Sequence, residues 1–281
     1  MRCIPVLPMS PDSLFSLLAA LLYFTAGGLI ASELVRGRQR PASVFRTAML
    51  AVAAAAIILH ALTLSELLSG SGTVDLRLST AISLIVWVLC VLFIVAMLFR
   101  PIENIGVLVL PLGGLAVLLA WLWPGRVHLL EQSDRWFALH LVIAFIAYAF
   151  LGLAALQALL LAAQEKRLKR HHPGGWLRAL PPMQTVETLM FQSIGLGFGL
   201  LTVTLFTGSL FSERLFGRPF VWNHHVVLSV VAWLIFALLL AGRRFFGWRG
   251  RQAVRWTLGG FTVLVLAYLG TRFVLEIVLH R

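Results

Sequence analysis

Long apolar runs alternate with short polar segments along this chain. A helix that crosses a membrane needs about 20 consecutive, mostly apolar residues. Eight runs reach roughly that length, with the limits 13–34, 46–69, 78–99, 105–123, 136–163, 189–211, 224–242 and 256–279. Glycine and proline, which interrupt helices, are frequent between the runs, as in WPGR and HHPGG. The pattern predicts an all-α, polytopic membrane bundle of eight transmembrane helices.

Composition supports this prediction. The chain has 281 residues, of which 60% are hydrophobic and 12% are charged, whereas soluble domains average about 25% charged residues. A soluble protein with so few charges could not cover its own surface. No gap between runs is long enough for a soluble domain, so we predict one transmembrane domain over 1–281. Its first four helices would lie in 1–125 and its last four in 136–281.

The basic residues are distributed unevenly between the two sides of the predicted bundle. The chain has 23 Lys and Arg residues, against 11 Asp and Glu. Fifteen of these cations fall in or beside the odd-numbered gaps and seven in the even-numbered gaps and the termini. Cytoplasmic loops carry the excess of Lys and Arg, so we expect a multi-pass protein of the bacterial inner (plasma) membrane with both termini outside. The basic charge then reflects orientation, and no nucleic-acid partner is expected.

Few ionisable side chains enter the apolar runs, and such residues are functional candidates because they are costly in a bilayer. With the predicted orientation, three separate helices bring imidazole close to the outer face. These are the helices that carry His140, the pair His224 and His225, and His280. This shared depth is the strongest evidence for a functional site that the residues alone provide.

Imidazole is a good ligand for haem iron, and two imidazoles from different helices can occupy both axial positions. The sequence therefore favours His140 and His280 as haem ligands, His225 or His224 as an auxiliary ligand, and Arg272 as a partner of a haem propionate. The alternative is that these histidines are only amphipathic anchors at the membrane interface.

Other polar positions have two interpretations each. Arg272 and Glu276 are spaced i,i+4 and could form an internal salt bridge. His60 is equally consistent with a buried, hydrogen-bonded residue and with a second ligand or transit site. Gly195 and Gly199 form a small-residue face, which suits either close helix packing or a flat cofactor. Trp222, in the outer loop, fits a membrane aromatic belt or an apolar shelf beside the histidines.

The last part of the chain resembles a known family. ALHLVIAFIAYAF opens with His140 and has Tyr148 eight residues later; GFGLLTVTLFTG is a glycine-rich helix that ends in Thr207 and Gly208; and the final run ends in Val278-Leu279-His280. In this order the segments of 136–281 resemble the cytochrome c assembly family of haem-handling membrane proteins, the CcsA/CcmC-type group. The most similar branch is that of the HemX-like, YpjD-type inner membrane proteins.

The resemblance implies an outer-face haem site, with haem b as cofactor and His140 and His280 in the positions of the family's two outer histidines. The family's Trp-rich signature ends in Trp-Asp-Pro-Lys-Glu, whereas this chain has Trp222-Asn223 followed by His224-His225. Because the haem-presenting signature is degenerate, we expect a haem carrier or assembly factor, with cytochrome c assembly proteins as partners, and not an enzyme.

The sequence is also compatible with two functions other than haem binding. A HemX-like membrane regulator would bind a cytoplasmic haem-synthesis enzyme through the basic loops at 166–178 and 243–255. An accessory subunit of an ion transport system would need ionisable residues along a path across the membrane. Transporters often contain repeats with broken helices, whereas this sequence has no internal repeat, no Gly- or Pro-broken pair of spans in matching positions, and few buried acidic residues.

Overall fold

The computed structural model describes residues 11–36, 43–69, 73–75, 78–99, 102–123, 129–131, 135–169, 180–216 and 224–274. Eight of its helices are long and apolar enough to cross a membrane, which confirms the predicted fold class. The helices are α1 (Pro11–Val35), α2 (Ser43–Ser69), α3 (Leu78–Phe99), α4 (Gly106–Leu122), α5 (Arg135–Lys169), α6 (Met183–Phe216), α7 (His224–Phe246) and α8 (Gly250–Val265).

Two helices begin six residues earlier than the apolar runs indicated. Helix α6 begins at Met183 and α8 at Gly250, six residues before the predicted starts at 189 and 256. The first turns of α6 and α8 carry charged or polar side chains. A count of apolar residues leaves these turns out, although their backbone is helical. Helix α8 continues through a π-helical segment, Leu266–Gly270, to an α-helical turn, Thr271–Phe273. The end of the eighth predicted run lies outside the described residues.

The structure has two short strands that the sequence pattern did not predict. One lies between α2 and α3 and the other between α4 and α5. Strand β1 (Thr73–Asp75) pairs antiparallel with β2 (Leu129–Glu131), with Val74 opposite Leu130. Three residues are too few for an alternation of apolar and polar positions to stand out. The pair lies at the same end of the bundle as the start of α5.

Helix α5 connects the first four helices to the last three. At Gly152, a Cβ atom would lie 3.2 Å from Leu89 of α3 and 3.4 Å from Phe261 of α8. The missing side chain thus lets α5 fit between elements of both halves of the bundle. Much of the middle of α5 is buried, including Ala147, Ala149, Leu151 and Ala154.

The close approach of α6 to α5 occurs at Gly197. A Cβ atom on Gly197 would lie 2.7 Å from Cγ of Leu151, whereas a Cβ atom on Gly195 or Gly199 would meet nothing within 4 Å. Gly195 and Gly199 therefore do not form the helix contact that their spacing suggested, at least among the described residues. They lie on an exposed side of α6.

The bundle has two chemically distinct ends. We call the starts of α5 and α7, with the ends of α6 and α8, the histidine end; the opposite ends of these helices form the arginine end. At the arginine end, Glu187 of α6 accepts a hydrogen bond from the Gly250 amide at 3.2 Å. Its carboxylate also lies 3.4 Å from Arg243 and 3.6 Å from Arg249. One carboxylate thus joins α6 to the hairpin between α7 and α8.

That hairpin is a tight turn with two glycines in the left-handed region. Gly247 has φ 65° and Gly250 has φ 54°, a conformation that glycine adopts without steric cost. The Trp248 amide donates to the Gly242 carbonyl at 3.1 Å, and the Trp248 ring lies over Gly242. The turn therefore fixes where α8 enters the membrane.

Gly197→Ala should destabilise the protein by about 1–3 kcal/mol, because the new methyl group would overlap Leu151 at the α5–α6 contact. Gly195→Ala is the matched control on the same helix, and it should be neutral or stabilising by up to about 1 kcal/mol, because alanine favours helix and the site is open. Thermal unfolding in mild detergent measures both. Equal effects of the two substitutions would contradict the assigned helix contact.

Candidate functional site

The imidazole of His140 is oriented by a threonine on the neighbouring helix. Nδ1 of His140 lies 2.7 Å from Oγ1 of Thr207 on α6. The same hydroxyl donates within its own helix, to the Val203 carbonyl at 2.9 Å or to the Thr204 carbonyl at 3.2 Å. A hydroxyl has one proton; while that proton is directed to a backbone carbonyl, Oγ1 can only accept a hydrogen bond from Nδ1–H of His140. This tautomer has its lone pair on Nε2, the arrangement typical of a metal-ligating histidine.

The His140 ring also rests against a glycine. A Cβ atom on Gly208 would lie 3.3 Å from Cε1 of His140, so any larger residue would press on the imidazole. On its own helix, the ring stacks with Phe137 at a centroid distance of 6.3 Å and an interplanar angle of 19°. Two helices therefore fix the plane of this imidazole.

His225, in the first turn of α7, is directed toward the same region. Its ring lies edge-on to Tyr268 of α8, with a centroid distance of 6.0 Å. His140 and His225 are close enough for their charges to interact, and the same holds for His225 and Arg272. His225 is half-buried, whereas the adjacent His224 is exposed. The fold thus groups two imidazoles and one guanidinium from three helices.

Tyr268 lies in the π-helical segment of α8. Its ring packs against Phe145 at 6.5 Å and Tyr148 at 6.2 Å, measured between centroids. The Tyr148 hydroxyl donates to the Leu264 carbonyl at 2.9 Å, close to where the helical hydrogen bonding changes from i→i+4 to i→i+5. Single π-helical turns are frequent at functional sites. Here the turn carries Tyr268, which contacts His225.

Of the residues predicted for the site, His140, His225 and Arg272 are brought together. His224 is at the same end but exposed. His280, Trp222 and Glu276 lie outside the described residues, so their roles stay predictions. The sequence analysis assigned no role to Thr207, Gly208 or Tyr268, although Thr207 and Gly208 lie in a segment that resembles the family. No spacing rule links a threonine to a histidine 67 positions away.

His60 is a buried, hydrogen-bonded residue and not a ligand in this structure. Its side chain has 0% exposure. Nδ1 lies 3.2 Å from the Tyr23 hydroxyl and Nε2 lies 2.8 Å from Oγ of Ser83. Both ring nitrogens are therefore bound to protein groups, on α1 and α3. These hydrogen bonds are the ones that the structural interpretation of His60 requires.

The donor set at the histidine end suits haem iron better than a bare metal ion. Throughout the described part of the chain, no group of three or more His, Cys, Asp or Glu side chains is arranged to hold a metal ion. Haem needs only axial ligands from the protein, because the porphyrin supplies four nitrogens. The imidazole of His140 and the guanidinium of Arg272 fit a flat ring with anionic propionates.

Comparison with known proteins agrees with this chemistry. The family model described as cytochrome C assembly protein matches residues 16–279. The chain belongs to this family. The match begins well before residue 136, where the resemblance in the sequence started. The inner membrane protein YpjD of Escherichia coli K12 is 32% identical over 271 residues, covering 94% of this chain and 98% of that protein. The chain is accordingly a multi-pass inner membrane protein.

Proteins named cytochrome c biogenesis protein CcsA are more distant relatives. The CcsA of Chlamydomonas reinhardtii is 27% identical over 144 residues, which is 51% of this chain and 40% of that protein. The CcsA of Thermosynechococcus vestitus is 32% identical over 94 residues, which is 34% of this chain and 30% of that protein. The similarity to CcsA is therefore partial, whereas the similarity to YpjD spans nearly the full length of both chains.

His60→Leu should lower the free energy of unfolding by about 2–4 kcal/mol, because the Tyr23 and Ser83 hydroxyls would lose their hydrogen bonds to the imidazole in the protein interior. Adding Tyr23→Phe and Ser83→Ala should recover part of the loss, since no buried polar group then remains unpaired. Thermal unfolding of the single and triple variants tests this. If the triple variant is the least stable of the set, the hydrogen-bond chain does not account for the role of His60.

Proposed function

We propose that this protein binds haem at its histidine end and contributes to cytochrome c biogenesis or haem trafficking. It would act as a carrier or assembly factor and not as an enzyme. The proposal rests on membership of the cytochrome c assembly family, which implies haem handling. Haem b is the expected form, because the chain has no Cys-x-x-Cys-His motif for covalent attachment.

The single observation that carries the proposal is the pair His140–Thr207. Nδ1 of His140 lies 2.7 Å from the Thr207 hydroxyl, and this hydrogen bond fixes the direction of the ring. The orienting hydrogen bond is the feature that ligating histidines share.

The other side chains divide the remaining tasks. His140 and His280 would ligate the haem iron, with His225 as an auxiliary ligand. Arg272 would hold a propionate, and Trp222 would flank the ring. Bound haem would supply a redox-active iron whose state depends on these ligands. Tyr268 and Phe145 contribute apolar surface, and Tyr268 keeps His225 in place through an edge-on ring contact at 6.0 Å.

His140→Ala should abolish haem binding, because it removes the imidazole that the structure orients. The purified protein in mild detergent is titrated with haem, and the Soret band is recorded. His225→Ala should weaken binding without abolishing it. His224→Ala is the matched control, since this neighbouring imidazole is exposed and its removal should leave the spectrum unchanged. A wild-type Soret band and affinity in His140→Ala would refute the proposal.

Thr207→Val should weaken haem binding by about 10–100-fold, the usual effect of removing a hydrogen bond that orients a metal ligand. Valine has nearly the shape of threonine, so the α5–α6 packing should persist. Thr202→Val is a control on the exposed side of α6, where its hydroxyl accepts a hydrogen bond from Trp233 at 2.8 Å. If the two substitutions weaken binding equally, Thr207 has no specific role.

A further inference from the structure

One side of α8 faces away from the rest of the bundle. Its exposed positions recur every three or four residues, which places them in a single stripe along the helix. From the arginine end inward, the stripe consists of Arg251, Arg255, Gly259, Thr262 and Leu266. Two cations thus lie above a glycine, followed by less polar surface toward the middle of the helix.

The two arginines are poorly compensated by protein carboxylates. Nε of Arg251 lies 3.6 Å from Oε1 of Glu165, but Lys169 binds the same oxygen atom at 2.7 Å. Among the described residues, no carboxylate forms an ion pair with Arg255. Arg255 lies five residues inside a helix that spans Gly250–Phe273, or about 7 Å along its axis. A guanidinium on an exposed face near the start of the helix attracts anionic oxygens.

Gly259 has no packing role in the described protein. Glycine in a helix interior is destabilising compared with alanine, and it is normally explained by a close neighbour. That explanation holds for the adjacent Gly260, where a Cβ atom would lie 3.0 Å from Ile235 and from Phe236. At Gly259, a Cβ atom would meet nothing within 4 Å. The glycine leaves a shallow depression on the exposed stripe, one turn below Arg255.

An aromatic pair flanks the same turns of α8. Trp256, next to Arg255, stacks on Trp248 with a centroid distance of 5.4 Å and an interplanar angle of 28°. Tryptophan favours the headgroup level of a bilayer. The two indoles therefore mark the start of α8 as the part of the helix that lies beside lipid headgroups.

We propose that Arg251 and Arg255 form a binding site for the phosphate of an anionic phospholipid, with one acyl chain lying over Gly259 toward Leu266. Arginine binds phosphate oxygens in a bidentate manner. The stripe continues from the two cations into the membrane-spanning part of α8, so the ligand that fits it has a phosphate at one end and an apolar tail at the other. This assignment is independent of haem binding.

The test uses the full chain purified in mild detergent. Phosphatidylglycerol is added, and bound lipid is counted by native mass spectrometry while thermal unfolding is followed in parallel. Phosphatidylcholine with the same acyl chains is the comparison lipid. We expect retained phosphatidylglycerol and a raised unfolding temperature, with little effect of phosphatidylcholine. Equal retention of the two lipids would overturn the proposal, and so would equal stabilisation by inorganic phosphate.

The variant Arg251→Gln/Arg255→Gln should bind phosphatidylglycerol about tenfold or more weakly, since each basic residue near the surface contributes to the attraction. Arg244→Gln is the control, because Arg244 is an exposed cation of α7 at the same end of the bundle. Gly259→Leu, which fills the depression, should also weaken binding while leaving both charges in place. The proposal fails if Arg244→Gln weakens binding as much as the double variant, or if Gly259→Leu has no effect.

Discussion

A side chain inside a bilayer has no water to bind, so each polar group must find its partner within the protein. This constraint explains why two histidines of one bundle have different roles. Tyr23 and Ser83 engage both ring nitrogens of His60, one at 3.2 Å and the other at 2.8 Å. That histidine joins α1, α2 and α3. At His140, the Thr207 hydroxyl of a neighbouring helix binds Nδ1 and orients the ring. Hydroxyl groups thus bind both histidines, but His60 has a structural role whereas His140 is a candidate ligand.

Helix α5 is the element through which the two halves of the bundle depend on each other. Gly152 admits Leu89 from one half and Phe261 from the other, and Tyr148 reaches the Leu264 carbonyl of α8. The ring of Tyr148 also packs against Tyr268, which in turn contacts His225. The position of His225 is therefore coupled by direct contacts to the middle of α5. Substitutions in the buried part of α5 should affect the candidate site without touching it.

The eight membrane crossings were predictable because each is a long apolar run, and length and hydropathy decide that question. The grouping of His140 and His225 was also predictable, since depth in the membrane follows from position along a span. The orienting role of Thr207 was not, because it depends on how α5 and α6 rotate against each other. The same rotation places Gly197, and not Gly195 or Gly199, at the helix contact. The π-helical turn at Leu266–Gly270 likewise has no pattern of its own in the sequence.

The two proposed sites lie at opposite ends of one helix, and this geometry limits how they could influence each other. Seventeen residues separate Arg255 from Arg272, which corresponds to about 25 Å along the axis. Charge effects over that distance are weak, so coupling would require movement of α8 itself. The π-helical turn lies close to Arg272, and any shift of the helix would change the contacts of Tyr268 with Phe145 and His225.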